Sequence, residues 1–545
     1  MTPLVQKVVR IAAAVAIAGA IAIPSAVAGA SVVQAAPYAA ISGAGSSWSA
    51  LLIDEWTAHV ATADQLTVNF QPNGSAEGRQ LYKEGVVDFA ASDPPFRNGT
   101  DNLDPNGKES ELPVAYGYSY VPDTAGGTAF MYHLDVGGKL ITNLRLSPKT
   151  IMEIFTGQIT TWNNPQIESD YGGTLPDIPI IPVVRSDGSG ATYFLTRYFA
   201  HMFPAQWNAF CAKVTHGAVT TNCGQTEFYP TSGWNPNTKA ENGSTNMANF
   251  ITSSYANGAI GYDEYAYALN SGYPVVSVLN PAGYYVQPTA SNVAVALTQA
   301  QINEDPSSPN FLQQNLNDVY TYTDPRSYPL SSYSYLIVPR VTAGKPLPPA
   351  FQKPMGRSLS TFIDYFLCAG QGDAANLGYS PIPLNLVKGG LLQVTHIPDA
   401  GSTPNPTTMA GCDNPTFTNG VLTVLKTAPE PSKCQFHTEP LDCTGNGTSA
   451  TSSPSTTASP GASTSSSTTP GNSSDLDGSG TNPGGGSTSD GAVATTVTGQ
   501  VVNLASDDAD QPALGVLTAV AIIVAIGAPP TLAIWLRRRR GQSSG

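Results

Sequence analysis

The chain has 545 residues, of which 12% are charged, and its formal net charge is −14. This acidic balance argues against nucleic acid as a partner, although a small anion responds to local hydrogen-bond donors rather than to net charge. Once the terminal segments described below are set aside, roughly 400 residues remain, and that length predicts two lobes rather than a single core.

Residues 1–36 have the pattern of a secretory signal peptide. Lys7 and Arg10 form a positive segment, an apolar stretch follows, and small residues allow cleavage after Ala30 or Ala36. A first transmembrane helix is the alternative interpretation. The Ala, Gly and Ser content of the stretch favours the signal peptide and therefore an exported protein.

The next part of the chain alternates between helical and strand patterns. Helical spacing is found in residues 50–60, 75–84 and 193–202, and strand patterns in residues 66–71, 86–91, 127–133 and 178–184. Ser147 and Pro148 are typical of the first residues of a further helix, which Gly157 ends. This alternation predicts an α/β fold.

Three short loops rich in Gly and Ser each lead into a helical segment. They are residues 43–48, 74–78 and 185–190. Small residues let backbone amides approach a ligand, and a helix N-terminus adds about half a positive charge. Ligands of open α/β sheets bind beyond the carboxyl ends of strands, where Asp93 and Arg185 fall. Each loop alone also fits an ordinary turn, but together they predict a cage for one small oxyanion.

The six cysteines of an exported chain predict three disulfides. Cys211 and Cys223 are the favoured local pair, and free buried thiols are the alternative. The other four would staple the C-terminal part of the globular region: Cys368, Cys412, Cys434 and Cys443. Because no cysteine precedes Cys211, a lipid-modified N-terminal cysteine is excluded as a tether.

The C-terminal part of the chain predicts a different tether. Residues 444–512 are rich in Ser, Thr, Gly and Pro and indicate a disordered stalk. Residues 513–536 carry no charge and are long enough for one transmembrane helix. The basic tail of residues 537–545 would stay in the cytoplasm. We therefore expect a single-pass protein of the cell membrane with its globular part outside the cell; a sortase-processed wall anchor ranks second, because no LPxTG-like motif precedes the helix.

Several segments carry a family resemblance, and they occur in family order. They are residues 43–48, 68–71 with 74–75, 87–93, 151–162, 183–190 and 258–262 with 264–267, with a weaker match over residues 335–387. In these segments the chain resembles the phosphate-binding protein of bacterial phosphate ABC importers. The resemblance implies a two-lobed type II periplasmic-binding fold that closes on its ligand. Lobe I would comprise residues 37–127 and, with a Cys-containing extension, 273–443; lobe II would comprise residues 128–272.

The resemblance also implies the residues of a phosphate site. Hydroxyl or amide donors would come from Ser47, Trp48, Ser75, Ser189, Gly190 and Ala191, and a charged fork from Arg185. Asp187 would orient Arg185. Asp93 would distinguish phosphate from sulfate, because a carboxylate accepts a hydrogen bond from the protonated oxygen that phosphate still carries and sulfate lacks. The family has a threonine where this chain has Ala191, and one lost bond to a charged ligand is worth about 1.5–3 kcal/mol.

The resulting interpretation is extracellular binding of inorganic phosphate and its delivery to the permease and ATPase subunits of an ABC importer. The alternative is a membrane-anchored surface receptor, sensor or adhesin that uses the same scaffold without delivery. No catalytic, metal or cofactor site is predicted, because the G-x-S-x-G elbow is interrupted at Asp187 and no metal-ligand spacing is present. An extracellular phosphoester hydrolase is the third class to be tested.

Overall fold

The computed structural model describes residues 38–105, 110–305, 307–308 and 310–443. All of these residues belong to one compact unit. The predicted signal peptide, stalk, transmembrane helix and basic tail lie outside the described residues. Within the described ranges, none of the helices combines the length and the apolar character that a membrane span requires.

The described residues form strands and helices in alternation. The strands are β1 (Ile41–Gly45), β2 (Val68–Gln71), β3 (Phe89–Ser92), β4 (Tyr118–His133), β5 (Asp135–Val136), β6 (Lys139–Leu140), β7 (Arg145–Leu146), β8 (Ile181–Arg185), β9 (Lys239–Glu241), β10 (Ala259–Glu264), β11 (Ser277–Leu279), β12 (Tyr285–Val286), β13 (Gln301–Ile302), β14 (Gln314–Asn315), β15 (Ser331–Pro339), β16 (Phe417–Thr418) and β17 (Val421–Leu422). The helices are α1 (Ala50–Ala63), α2 (Ser75–Glu84), α3 (Pro148–Phe155), α4 (Pro165–Tyr171), α5 (Gly190–Met202), α6 (Pro204–Val214), α7 (Gly243–Thr252), α8 (Tyr265–Asn270), α9 (Ala290–Leu297), α10 (Asn317–Tyr320), α11 (Lys353–Leu367), α12 (Leu384–Val394) and α13 (Val424–Thr427).

The long strand β4 joins two half-sheets. The strand order is β2-β1-β3-β15-β4-β10-β8-β9. β15 pairs antiparallel with β4 up to Gly127, and β10 pairs antiparallel with β4 from Thr128 onward. β1, β2 and β3 run parallel on one side, and β8, β9 and β10 run parallel on the other. The two half-sheets confirm the predicted two-lobed α/β fold.

Most local predictions are confirmed, with differences at the element ends. Ser147 caps α3 by accepting a hydrogen bond from the Thr150 amide. β3 begins at Phe89 and not at Val86, because Gly85 ends α2 in the left-handed conformation and Val86 is 57% exposed on the way into the sheet. α5 begins at Gly190, three residues before the predicted start. The loop of residues 185–190 therefore runs directly into the helix.

Three disulfides close loops in the described residues. Cys211–Cys223 confirms the predicted local pair. The other four cysteines pair as Cys368–Cys412 and Cys434–Cys443. The first of these bonds ties the end of α11 to the C-terminal part of the globular region, as the sequence predicts.

Candidate functional site

The predicted loops meet at the carboxyl ends of parallel strands. β1 ends at Gly45 and its loop leads into α1, while the loop after β2 leads into α2. β8 ends at Arg185 and leads into α5, and Asp93 follows β3 directly. The loops come from both half-sheets, and this edge is where an α/β fold places its ligands.

Asp93 is the centre of the first half-sheet's contribution. Its side chain is fully buried, and Oδ2 accepts hydrogen bonds from Ser46 Oγ at 2.7 Å and from Ser75 Oγ at 2.8 Å. Oδ1 is buried and has no hydrogen-bond partner among the described residues. Burial raises the pKa of Asp93, although the neighbouring hydroxyl groups of Ser46, Ser334 and Ser75 and the charge of Arg185 lower it in part. The free oxygen is an acceptor that a protonated ligand oxygen would satisfy.

Arg185 is the centre of the second half-sheet's contribution. Its guanidinium is 1% exposed, and Nε lies 2.8 Å from Asp187 Oδ1 while Nη1 lies 3.2 Å from Asp263 Oδ2. Nη2 also donates to Ser47 Oγ at 3.0 Å, and Nη1 donates to Ser244 Oγ at 3.1 Å. Burial lowers the pKa of Arg185, but Asp263 and Asp187 raise it by more, so the guanidinium stays charged. Burial also raises the pKa of Asp187, but Arg185 outweighs this effect and the net shift is downward.

The two half-sheets contact each other at these loops. Ser47, which follows β1, joins Arg185 and Ser244 across the boundary, with 3.1 Å between the two serine hydroxyl oxygens. Gly190 lies against Asp93 so closely that a Cβ atom at this position would be 1.6 Å from Asp93 Oδ2. A glycine is therefore required at position 190 for this approach.

Two helix N-termini lie at the site. α2 begins at Ser75, and α5 begins at Gly190 with Ser189 as its N-cap. Amides of a first helical turn have no intrahelical acceptor, and the helix dipole makes this end positive. Ser189 Oγ is buried without a hydrogen-bond partner among the described residues, so it is a further donor available to a ligand.

Ala191 and its neighbour show what the missing threonine changes. Ala191 is fully buried in the first turn of α5 and offers only its amide. Thr192 does not replace the hydroxyl, because its Oγ1 lies 2.8 Å from the hydroxyl oxygen of Tyr262. That hydroxyl also accepts a hydrogen bond from the Arg185 amide at 3.3 Å. Thr192 and Tyr262 therefore hold the third loop, residues 185–190, in place through these two hydrogen bonds.

Trp48 lies in the first loop with its backbone amide and carbonyl engaged, while its indole Nε1 is buried without a partner among the described residues. Its amide donates to Ser46 Oγ at 3.1 Å, and its carbonyl accepts from the Tyr379 hydroxyl at 2.7 Å. The carbonyl of Ser47 accepts a hydrogen bond from the Tyr267 hydroxyl. The loop is thus held by buried tyrosines, which the sequence analysis did not include in the site.

Three further residues of the site were missed from the sequence. Ser46, and not Ser47, donates to Asp93. Ser244 lies in the first turn of α7 directly after Gly243, which is the same Gly-Ser pattern that identified the other loops. Asp263 lies between the two matched stretches, residues 258–262 and 264–267, and accepts hydrogen bonds from Ser244 and Arg185. Within the described ranges no group of three or more His, Cys, Asp or Glu side chains is arranged to hold a metal ion.

Comparisons with known proteins give the family of the chain. Residues 30–369 match the model of the PBP superfamily domain. The phosphate-binding protein PstS of Xylella fastidiosa is 31% identical over 352 residues, which are 64% of this chain and 83% of that protein. The phosphate-binding protein PstS of Pasteurella multocida is 28% identical over 351 residues, 64% of this chain and 88% of the relative. A solved phosphate-binding protein from Stenotrophomonas maltophilia covers 69% of this chain and 99% of its own at 16% identity, with a TM-score of 0.47.

Two half-sheets that meet at glycine- and serine-rich loops define a two-lobed binding protein. The match to the superfamily model and the 31% identity to a relative of which the chain covers 83% show the family of the chain. The chain belongs to the PBP superfamily and, within it, to the phosphate-binding protein family that its motifs resemble.

Proposed function

We propose that this chain binds one inorganic phosphate ion outside the cell, between its two half-sheets. The observation that carries the proposal is a pair of buried polar atoms without partners among the described residues, Asp93 Oδ1 from one half-sheet and Ser189 Oγ from the other, near the contact between Gly190 and Asp93. Asp93 Oδ1 is an acceptor and Ser189 Oγ is a donor, so a ligand that both donates and accepts hydrogen bonds would satisfy the two atoms at once. The names of the relatives support phosphate as that ligand.

The donors we assign to phosphate follow from the loop geometry. Ser75 contributes the amide at the start of α2, because its hydroxyl already donates to Asp93. Ser47 contributes its hydroxyl group, which would exchange Ser244 for phosphate. Arg185 contributes the N–H groups that donate to Ser47 and Ser244, while Asp187 and Asp263 hold the guanidinium in place. The remaining donors are the hydroxyl of Ser189, the amides of Gly190 and Ala191, and the amide of Trp48, which would exchange Ser46 Oγ for phosphate.

Asp93 gives the site its selectivity in this proposal. A protonated phosphate oxygen donates a hydrogen bond to Asp93 Oδ1, whereas every sulfate oxygen is an acceptor near neutral pH. Sulfate would therefore place two acceptors against each other in a buried site, which is costly. Asp93 is fully buried and cannot turn to solvent to avoid this contact.

Calorimetric titration of the purified protein, stripped of bound anion, tests the proposal. We expect micromolar or tighter binding of phosphate and no heat of binding with sulfate. The variant Asp93→Asn keeps the shape of the side chain but adds donors, so the ratio of phosphate affinity to sulfate affinity should fall by about tenfold or more, the value of one hydrogen bond to a charged group. Absence of phosphate binding by the wild-type protein would refute the proposed function.

We further propose that the protein delivers phosphate to the permease and ATPase of an ABC importer, while residues 513–536 hold it at the cell membrane. Deletion of the gene should then reduce high-affinity phosphate uptake under phosphate limitation. Unchanged uptake would contradict delivery and favour a surface receptor, sensor or adhesin. A chain that ends at residue 512 should be released into the medium, and its retention at the cell surface would contradict the membrane anchor. A purified protein that releases no product from phosphoesters above background would agree with a non-enzymatic role.

A further inference from the structure

A polar cavity of about 610 Å³ lies beside α5, apart from the anion site. Its walls come from the β13–β14 hairpin, from α5, from Pro95 after β3 and from Gln225 near the Cys211–Cys223 disulfide. This volume falls within the range of about 300–1,000 Å³ that is usual for small-molecule sites. Elements from both half-sheets thus line an open pocket of ligand size that the proposed phosphate site does not use.

The cavity wall consists mainly of side-chain amides. Eight of its thirteen lining residues are Asn or Gln, and the aliphatic part of the lining is limited to Pro95 and Ile302. Each amide presents a carbonyl acceptor next to two N–H donors. The wall therefore suits a ligand with many groups that both donate and accept hydrogen bonds, and it offers little surface to an apolar ligand.

The charges in the lining oppose each other. Arg197 and Glu304 are the only charged residues among those that line the cavity. Arg197 is engaged already, because its Nη2 donates to the carbonyl of Gln314 at 2.9 Å. With one charge of each sign, the lining has no formal net charge that would select an anion or a cation, and a neutral ligand is favoured.

Several of the amides lack protein partners. Gln314 donates from Nε2 to the carbonyl oxygens of Asp93 at 3.3 Å and Tyr333 at 3.0 Å, but its Oε1 is buried without a partner among the described residues. The side chains of Asn310 and Gln313 likewise make no hydrogen bond to the described part of the chain. A buried acceptor without a donor costs free energy until a ligand supplies one. The wall thus contains unused hydrogen-bonding capacity.

We propose that this cavity binds a neutral carbohydrate. Adjacent sugar hydroxyls each donate and accept a hydrogen bond, and so they match side-chain amides group for group. Gln314 Oε1 would accept from one hydroxyl, while Asn310 and Gln313 would hold others at the rim. The assignment does not depend on the anion site, because none of these three side chains belongs to it.

Calorimetry and saturation-transfer NMR with the purified full-length protein test the proposal. The probes are glucose, galactose, mannose, N-acetylglucosamine, maltose, lactose and N,N′-diacetylchitobiose. We expect saturable binding of at least one of them, with a millimolar or smaller Kd. The double variant Asn310→Ala/Gln313→Ala should raise that Kd at least tenfold, whereas Asn249→Ala, an exposed amide on α7 outside the cavity, should leave it unchanged.

Phosphate titration of the same variants separates this inference from the proposed function. The double variant should bind phosphate like the wild-type protein, and its unchanged melting temperature would show that it is folded. No saturable binding of any probe overturns the proposal, and so does sugar binding that the double variant leaves intact. Absence of phosphate binding by the wild-type protein would instead refute the anion site, and it would not affect the proposed carbohydrate site.

Discussion

The contact between Gly190 and Asp93 gives the sharpest test of the anion site. The two residues come from different half-sheets, and the variant Gly190→Ala adds one methyl group between them. A Cβ atom there would lie 1.6 Å from Oδ2, 2.2 Å from Cγ and 2.3 Å from Cβ of Asp93. Since Asp93 is buried and bonded to Ser46 and Ser75, it cannot rotate away without losing both hydrogen bonds. The alanine therefore has to hold the half-sheets apart.

The size of the effect follows from these distances. Ordinary contact begins at 3.4 Å, so the Cβ of residue 190 and Oδ2 of Asp93 must separate by about 1.8 Å. Hydrogen bonds span only about 2.7–3.2 Å, and an ion that stays with one half-sheet then loses the donors of the other. Loss of two bonds to a charged ligand, at about 1.5–3 kcal/mol each, removes at least about 3 kcal/mol. We therefore expect the Kd for phosphate to rise by about 100-fold or more.

Calorimetric titration of Gly190→Ala with phosphate measures this change. Gly372→Ala is the matched control, because a Cβ atom at Gly372 would meet no heavy atom within 4 Å. The melting temperature of the ligand-free Gly190→Ala protein should fall, because separating the half-sheets also breaks the contacts of Ser47 with Arg185 and Ser244. A single cooperative melting transition is therefore the control that the variant is folded. A Kd for Gly190→Ala within threefold of the wild-type value would refute closure of the half-sheets around the ion.

Three further predictions concern affinity, pH and the disulfide. Ala191→Ser restores a hydroxyl to the first turn of α5 and should tighten phosphate binding about tenfold, by calorimetry; weaker binding would contradict it. Burial raises the pKa of Glu227 to about 7 despite its pairing with Arg79. A raised carboxyl pKa stabilises the fold at low pH, and this stability is lost as the pH rises from about 4.5 through 7. Urea unfolding of Glu227→Gln should therefore depend less on pH between 5 and 8 than that of the wild type; an identical dependence would contradict the prediction. Replacing Cys211 and Cys223 by Ser should lower the free energy of unfolding by about 2–4 kcal/mol, the usual value for a short closed loop; a loss below 1 kcal/mol would count against it.

Local patterns predicted the elements that carry the site. Ser147 and Pro148 begin a helix because the cap and the first-turn proline act within a few residues of sequence. Asp93 and Arg185 could be placed at strand ends because a short apolar strand precedes each of them. The full length of β4 could not be predicted, since it is buried almost throughout and its interior therefore lacks the alternation that marks a half-exposed strand.

The contacts between distant loops were beyond the sequence patterns. Ser244 and Asp263 reach Arg185 only because β10 pairs with β8 and because α7 leads into that pair. Ser46 bonds to Asp93 and Ser47 bonds to Arg185, because the turn after β1 directs the two neighbouring hydroxyl groups to different partners. Both facts depend on strand pairing and turn conformation, which spacing along the chain does not encode.

The charges of the site show that net positive charge is not what would hold an anion here. Arg185 is the guanidinium of the site, and it is shared by Asp187 and Asp263, while Asp93 adds a third carboxyl group. Burial raises the pKa of Asp93 and of Asp263. An oxyanion would therefore be bound by directed donors, which are the serine hydroxyls and the first-turn amides of α2 and α5. Directed donors together with one buried acceptor distinguish ions by their protons, whereas a positively charged site would attract phosphate and sulfate alike.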